Sequence, residues 1–113
     1  MSLDIDFKNT KLTKLMNSET ALKREFGDRM ARTIQMRLQL LRHAPSLADV
    51  PTMPPPRRHQ LSQDRDEKFA VDLVQPYRLI FEVNQDPIPR KEDNGVDVTK
   101  VTAVKVLEVA DYH

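Results

Sequence analysis

The sequence has no cysteine and only two glycines among its 113 residues. Without cysteine there is no disulfide, no thiol nucleophile and no cysteine-ligated metal, which suits a reducing compartment. Gly27 and Gly95 are too few for a phosphate-cradling glycine loop or a dinucleotide fingerprint. No apolar run approaches the roughly 18 residues that span a bilayer, and Met1 to Lys8 lacks a signal-peptide core. The expectation is a cytoplasmic chain with no membrane partner. His43, His59 and His113 have no ligand spacing among themselves, so no metal is expected, and nothing marks a nucleophile elbow.

What is present describes one globular domain over residues 1–113, with 39% hydrophobic and 31% charged residues. Eighteen Lys and Arg against seventeen Asp and Glu leave a net charge of +1, which excludes a histone-like wrapper and an acidic nucleic-acid mimic. The balance hides an asymmetry. Met1 to Arg58 holds eleven basic and six acidic residues, net +5; His59 to His113 holds seven and eleven, net −4. Such a dipolar surface can orient on a polyanion, although charges also simply solvate helix faces. Pro51, Pro54, Pro55 and Pro56 mark residues 51–58 as a stiff, extended internal linker that no helix crosses.

The first half reads as helical. Leu12, Leu15 and Met16 make one short amphipathic stretch, followed by the plausible caps Asn17 and Ser18. Leu22, Phe26, Met30, Ile34, Leu38 and Leu41 then form a stripe at three- and four-residue steps, with Lys23, Arg24, Arg29, Arg32 and Arg37 on other faces. Gly27 weakens this stripe without ending it, and Pro45 ends it. The second half reads as extended. Phe69 to Val74 and Tyr77 to Val83 alternate around Gln75-Pro76 and predict an antiparallel hairpin with Phe69 and Phe81 in the core. Val101 to Ala110 is almost wholly apolar and predicts a central strand buried on both faces. Residues 84–100 predict a long, mobile surface loop, and Asp4 to Lys8 alternates like a first edge strand. The fold class expected is α+β: two N-terminal helices packed on a small, mostly antiparallel sheet of three to four strands.

Chemistry without metal or thiol is left to acids, bases and cations. RNA cleavage by the substrate's own 2′-hydroxyl is such a reaction, because the protein need only move protons and stabilise charge on phosphorus. Two segments carry suitable groups. In Arg57-Arg58-His59 an imidazole stands beside two fixed cations, and Asp111-Tyr112-His113 directly follows the last strand. Imidazole exchanges protons near neutrality, arginine holds phosphate through paired hydrogen bonds, and tyrosine stacks on a base. A tail of this kind is otherwise a solvated terminus.

Arg58-His59-Gln60-Leu61, the hairpin Phe69 to Leu73 and Pro76-Tyr77-Arg78-Leu79-Ile80-Phe81, and the final Asp111-Tyr112-His113 resemble, in order, HigB-type toxins of the RelE superfamily, the plasmid-maintenance killer proteins. The resemblance implies a RelE-like fold and an endoribonuclease that cuts messenger RNA on the ribosome without metal or cofactor. It also implies a helix-turn-helix, HigA-like antitoxin as partner, with operator DNA bound only through that complex. By position, His59, Arg78, Asp111, Tyr112 and His113 match the family's active-site residues, and Arg57, Arg58 and Arg65 are the candidate RNA-binding cations. In this reading His113 and Asp111 move protons, His59 assists them or orients phosphate, Arg78 stabilises the phosphorane and Tyr112 positions a base. Ser62-Gln63-Asp64 stands where the family commonly has Lys-Gly-Asp, Gln60 where proline is usual, and the 84–100 loop replaces a tight turn. These departures keep an alternative open: a non-catalytic binding protein on the same scaffold, either antitoxin-binding and operon-regulating or a poison of another target such as DNA gyrase. A small DNA-binding regulator using the basic helix is a third reading.

Overall fold

Asn9 turns the first extended run, β1 (Asp4–Phe7), into a helix: its side chain accepts the Leu12 N–H at 2.8 Å and opens α1 (Thr10–Met16). The computed structural model describes residues 2–61 and 67–111. Ser18 repeats the capping device on the Ala21 N–H at 3.1 Å and opens α2 (Glu19–Phe26). The continuous helix expected across Gly27 does not form. Gly27 lies at φ +85°, ψ 166°, a region only glycine enters cheaply, and it closes α2 while starting α3 (Asp28–His43). A Cβ built there meets nothing within 4 Å, so backbone conformation and not crowding makes this a glycine position. There are thus three α-helices among the described residues, where two were expected.

The sheet has the order β1-β5-β4-β3-β2, with β2 (His59–Gln60), β3 (Lys68–Asp72), β4 (Tyr77–Val83) and β5 (Ala103–Asp111). Its five strands exceed the three to four expected, because a two-residue run at His59 pairs with β3. The β1–β5 pair is parallel and the others are antiparallel, so the sheet is mixed and the class is α+β. The expected edge strand is β1. The last run corrects its expectation: β4, not β5, is the middle strand, and within β5 only Val104 and Val106 are fully buried. Helices cover one face of an antiparallel sheet, so a strand near its edge needs only one apolar side.

That covered face holds the core. Phe69 pairs with Phe81 and Val71 with Leu79 across the hairpin, and the two rings stack at 6.1 Å. Leu22, Ile34, Leu38 and Leu41 pack into the same cluster. Arg37 joins the buried side of α3, against the expectation that it faces outward. The register between β4 and β5 slips after Ile80: Ile80 opposes Glu108 and Phe81 opposes Val106, leaving Leu107 as the extra residue of a bulge.

Two connections are more built than composition implies. Residues 54–56 form a turn instead of a plain extended linker, and Pro56 is buried. In the 84–100 segment Arg90 bridges to Val96, Val96 is buried, and Ile88 and Val98 pack on the core. Arg90 also reaches Glu67 at 3.6 Å. The segment therefore contributes apolar residues to the interior. Among the described residues no helix is long and apolar enough to cross a membrane.

Candidate functional site

The face of the sheet turned away from the helices follows from the strand register. Residues directly opposite one another share a face, and His59 opposes Ala70, Ala70 opposes Ile80, and Asp72 opposes Arg78. Ala70 and Ile80 are buried yet stand outside the main core cluster, so they form a separate apolar floor. His59, Asp72 and Arg78 rise from the same surface around that floor.

Arg57 completes the group. It has φ +45°, an unusual conformation for a residue with a side chain, and its backbone N–H donates to the Met53 carbonyl at 3.0 Å. From there its Nε–H and Nη2–H donate to the two carboxylate oxygens of Asp72 at 2.6 and 3.0 Å. Arg78 Nε lies 3.6 Å from Asp72 Oδ1. The Asp72 backbone is also engaged: its N–H donates to Pro56 at 2.7 Å, and its carbonyl accepts Arg37 Nε–H at 2.6 Å. One buried aspartate thus joins the proline segment, α3 and the hairpin.

His59 Nδ1 lies 2.8 Å from the Arg57 carbonyl. A carbonyl only accepts, so Nδ1 carries the proton and Nε2 presents the lone pair in the neutral ring. That Nε2 is buried and has no hydrogen-bond partner among the described residues. An imidazole fixed in this tautomer is chemically equipped to take a proton.

The arginines differ in their surroundings. The hydrogen bond with Asp72, aided by charge attraction, raises the Arg57 pKa despite some desolvation. Burial lowers that of Arg37, with the Asp72 charge opposing the shift, and burial alone lowers that of Arg58. All three remain charged at neutral pH. Arg58 donates its Nε–H to the Val50 carbonyl at 2.9 Å and belongs to the anchoring of the proline segment.

The structure therefore brings together His59, Arg57 and Arg78, and it turns Arg58 elsewhere. Asp111 opposes Tyr77 and Ala110 opposes Arg78, so the register sets Asp111 on the opposite pleat from Arg78. Arg65, Tyr112 and His113 lie outside the described residues. His43, at the end of α3, shares a hydrogen bond with Gln39 at 3.0 Å and lies on the helix surface. Among the described residues no group of three or more His, Asp or Glu is arranged to hold a metal ion.

Sequence reasoning missed Asp72 and Arg37. The signals were a carboxylate inside the otherwise apolar run Phe69 to Leu73, and an arginine three residues after Ile34 and four before Leu41, on the apolar stripe itself. No family model, curated protein or solved structure matches the chain.

Proposed function

We propose that this chain is a RelE-like toxin of the HigB type, a metal-independent endoribonuclease that cuts messenger RNA on the cytoplasmic ribosome and is restrained by a helix-turn-helix antitoxin. The observation that carries the reading is the His59 ring, its Nδ1 proton committed to the Arg57 carbonyl and its Nε2 buried without a hydrogen-bond partner among the described residues, on the face that bears Arg78. Further support is the order of matched residues, Arg58-His59, Tyr77-Arg78-Leu79-Ile80-Phe81 and Asp111-Tyr112-His113, along an α+β chain.

The chemistry follows from these groups. The 2′-hydroxyl attacks the adjacent phosphorus as an imidazole takes its proton. Arg78 and Arg57 stabilise the extra negative charge on the non-bridging oxygens, and a protonated imidazole returns a proton to the departing 5′-oxygen. His59 Nε2 suits the first transfer and His113 is assigned the second, with Tyr112 holding a base. Asp111, on the other pleat, takes no proton in this scheme.

Purified protein added to translating ribosomes is expected to cut the message, and His59→Ala, Arg78→Ala and His113→Ala each to slow the cut by about tenfold or more, at least ~1.4 kcal/mol of transition-state stabilisation. An intact message with wild-type protein, or normal cutting by all three variants, overturns the reading. One observation favours the non-catalytic alternative: Asp72 already engages both guanidinium groups, as in an ion-pair cluster with a structural purpose. Growth arrest on expression that persists in His113→Ala would select that alternative.

A further inference from the structure

We propose that Asp72 is a positioning residue whose buried carboxylate holds the guanidinium groups of Arg57 and Arg78 side by side, so that both meet a single phosphodiester. The inference rests on the reading of this face as the RNA-cutting face. Arg57 arrives from the end of the proline segment and Arg78 from β4, and the Asp72 carboxylate between them touches both, at 2.6 Å and 3.6 Å.

Accessibility is graded in the sense that a ligand site requires. The Asp72 side chain is 7% exposed, that of Arg78 26% and that of Arg57 38%. The anion lies beneath and the two cations stand above it. Asp72 receives two of the five N–H donors that a guanidinium carries from Arg57. A buried ion pair is weak evidence of a purely stabilising purpose, because well-packed apolar residues often replace the whole pair without loss, whereas removing one partner alone is costly. Asp72 is nonetheless held at every polar position: Pro56 takes its N–H, Arg37 its carbonyl, and Gln75 Nε2 adds a contact to Oδ2 at 3.4 Å. Its orientation is fixed from α3, from the proline segment and from the hairpin turn. Three of the five Arg57 N–H donors do not engage Asp72, enough for the planar, two-point recognition of phosphate oxygens.

Charge and positioning predict opposite signs, which makes the inference testable. By charge alone, Asp72→Asn removes a repelling carboxylate and tightens the hold on any anion. By positioning, it loosens the charge-assisted hold on both guanidinium groups and weakens the grip on the anion. The probe is a single-stranded 2′-O-methyl RNA oligonucleotide, which lacks the attacking hydroxyl and stays whole, titrated by fluorescence anisotropy at fixed salt. Asp72→Asn is expected to bind about fivefold more weakly than wild type at a temperature where circular dichroism shows both folded.

Arg57→Lys keeps the charge and loses the fork, and about threefold weaker binding is expected from it. It carries the test if Asp72→Asn does not fold. Equal or tighter binding by folded Asp72→Asn, or unchanged binding by Arg57→Lys, overturns the inference. Wild-type protein that binds the oligonucleotide but leaves messages intact on ribosomes sinks the nuclease reading alone. Wild-type protein that cuts messages while Asp72→Asn binds and cuts normally sinks the positioning role alone. Wild-type protein that binds no oligonucleotide yet cuts messages on ribosomes sinks the positioning role alone, and wild-type protein that does neither sinks both.

Discussion

Phe81 and Ile80 are neighbours in β4 and both are buried, yet they belong to different environments. Phe81 faces the helices, stacks on Phe69 and sits among leucines and valines from every layer of the domain. Ile80 faces the other way, beside Ala70 and under a rim of His59, Asp72 and Arg78. One face of the sheet is thus built from interchangeable apolar contacts. The other is built from a few directed polar contacts over a small apolar floor. Packing density is what the first requires, and atomic placement is what the second requires.

This contrast can be broken most severely on the covered face. Phe81→Ala is expected to cost about 3–5 kcal/mol of stability in urea unfolding, with any loss of activity explained by loss of folded protein. Ile80→Val removes one methylene from the other face and is expected to cost about 1 kcal/mol, yet to alter oligonucleotide binding at a temperature where the protein is folded. If both variants lose function only in proportion to folded fraction, the two faces do not differ as described.

Arg37 links the two environments, since it leaves the buried stripe of α3 to reach the Asp72 carbonyl. Arg37→Ala removes a hydrogen bond from a charged donor and is expected to destabilise by about 2 kcal/mol. On the proposed nuclease reading its cutting rate at full folding should also fall, because Asp72 loses one of its holds. A variant with lowered stability and normal activity would show that the link is mechanical only.

The smallest effect lies outside both faces. Asp97 caps the short turn Val98–Lys100, and its pKa is lowered chiefly by the Thr99 hydroxyl, which donates to it at 2.5 Å. A carboxyl with a lower pKa folded than unfolded stabilises fully above its ordinary value of about 3.9, and the contribution fades as pH falls through the folded value. Asp97→Asn should therefore remove a slight acid dependence of stability below about pH 4. The comparison is a pair of urea titrations of wild type and variant from neutral to acid pH. Parallel curves would contradict the assignment.

Much of the fold was legible because it is periodic. Alternation over Phe69 to Val83 located the hairpin and put Phe69 and Phe81 inside, and three- and four-residue steps located the helical layer. Gly27 was harder to read. A lone glycine in a helical stripe resembles a modest propensity penalty, whereas its real function is a backbone angle that other residues resist. The bulge at Leu107 was hidden for a related reason, since an apolar run carries no mark of a one-residue slip in pairing. Of the candidate site, His59 and Arg78 were legible because their residue types stand out in their surroundings. The site was not legible at Asp72, whose contacts with Arg57 and Arg37 come from 15 and 35 residues away in sequence and have no local pattern.

Strand β5 occupies a slot between β1 and β4, so that Asp4 near one end of the chain is paired with Ala103 near the other. During synthesis the helical layer and the hairpin can form early, but β1 and β4 keep bare edges until residues 103–111 emerge to fill the gap. A nascent or truncated chain lacking that keystone strand would be open to intermolecular pairing and to proteases.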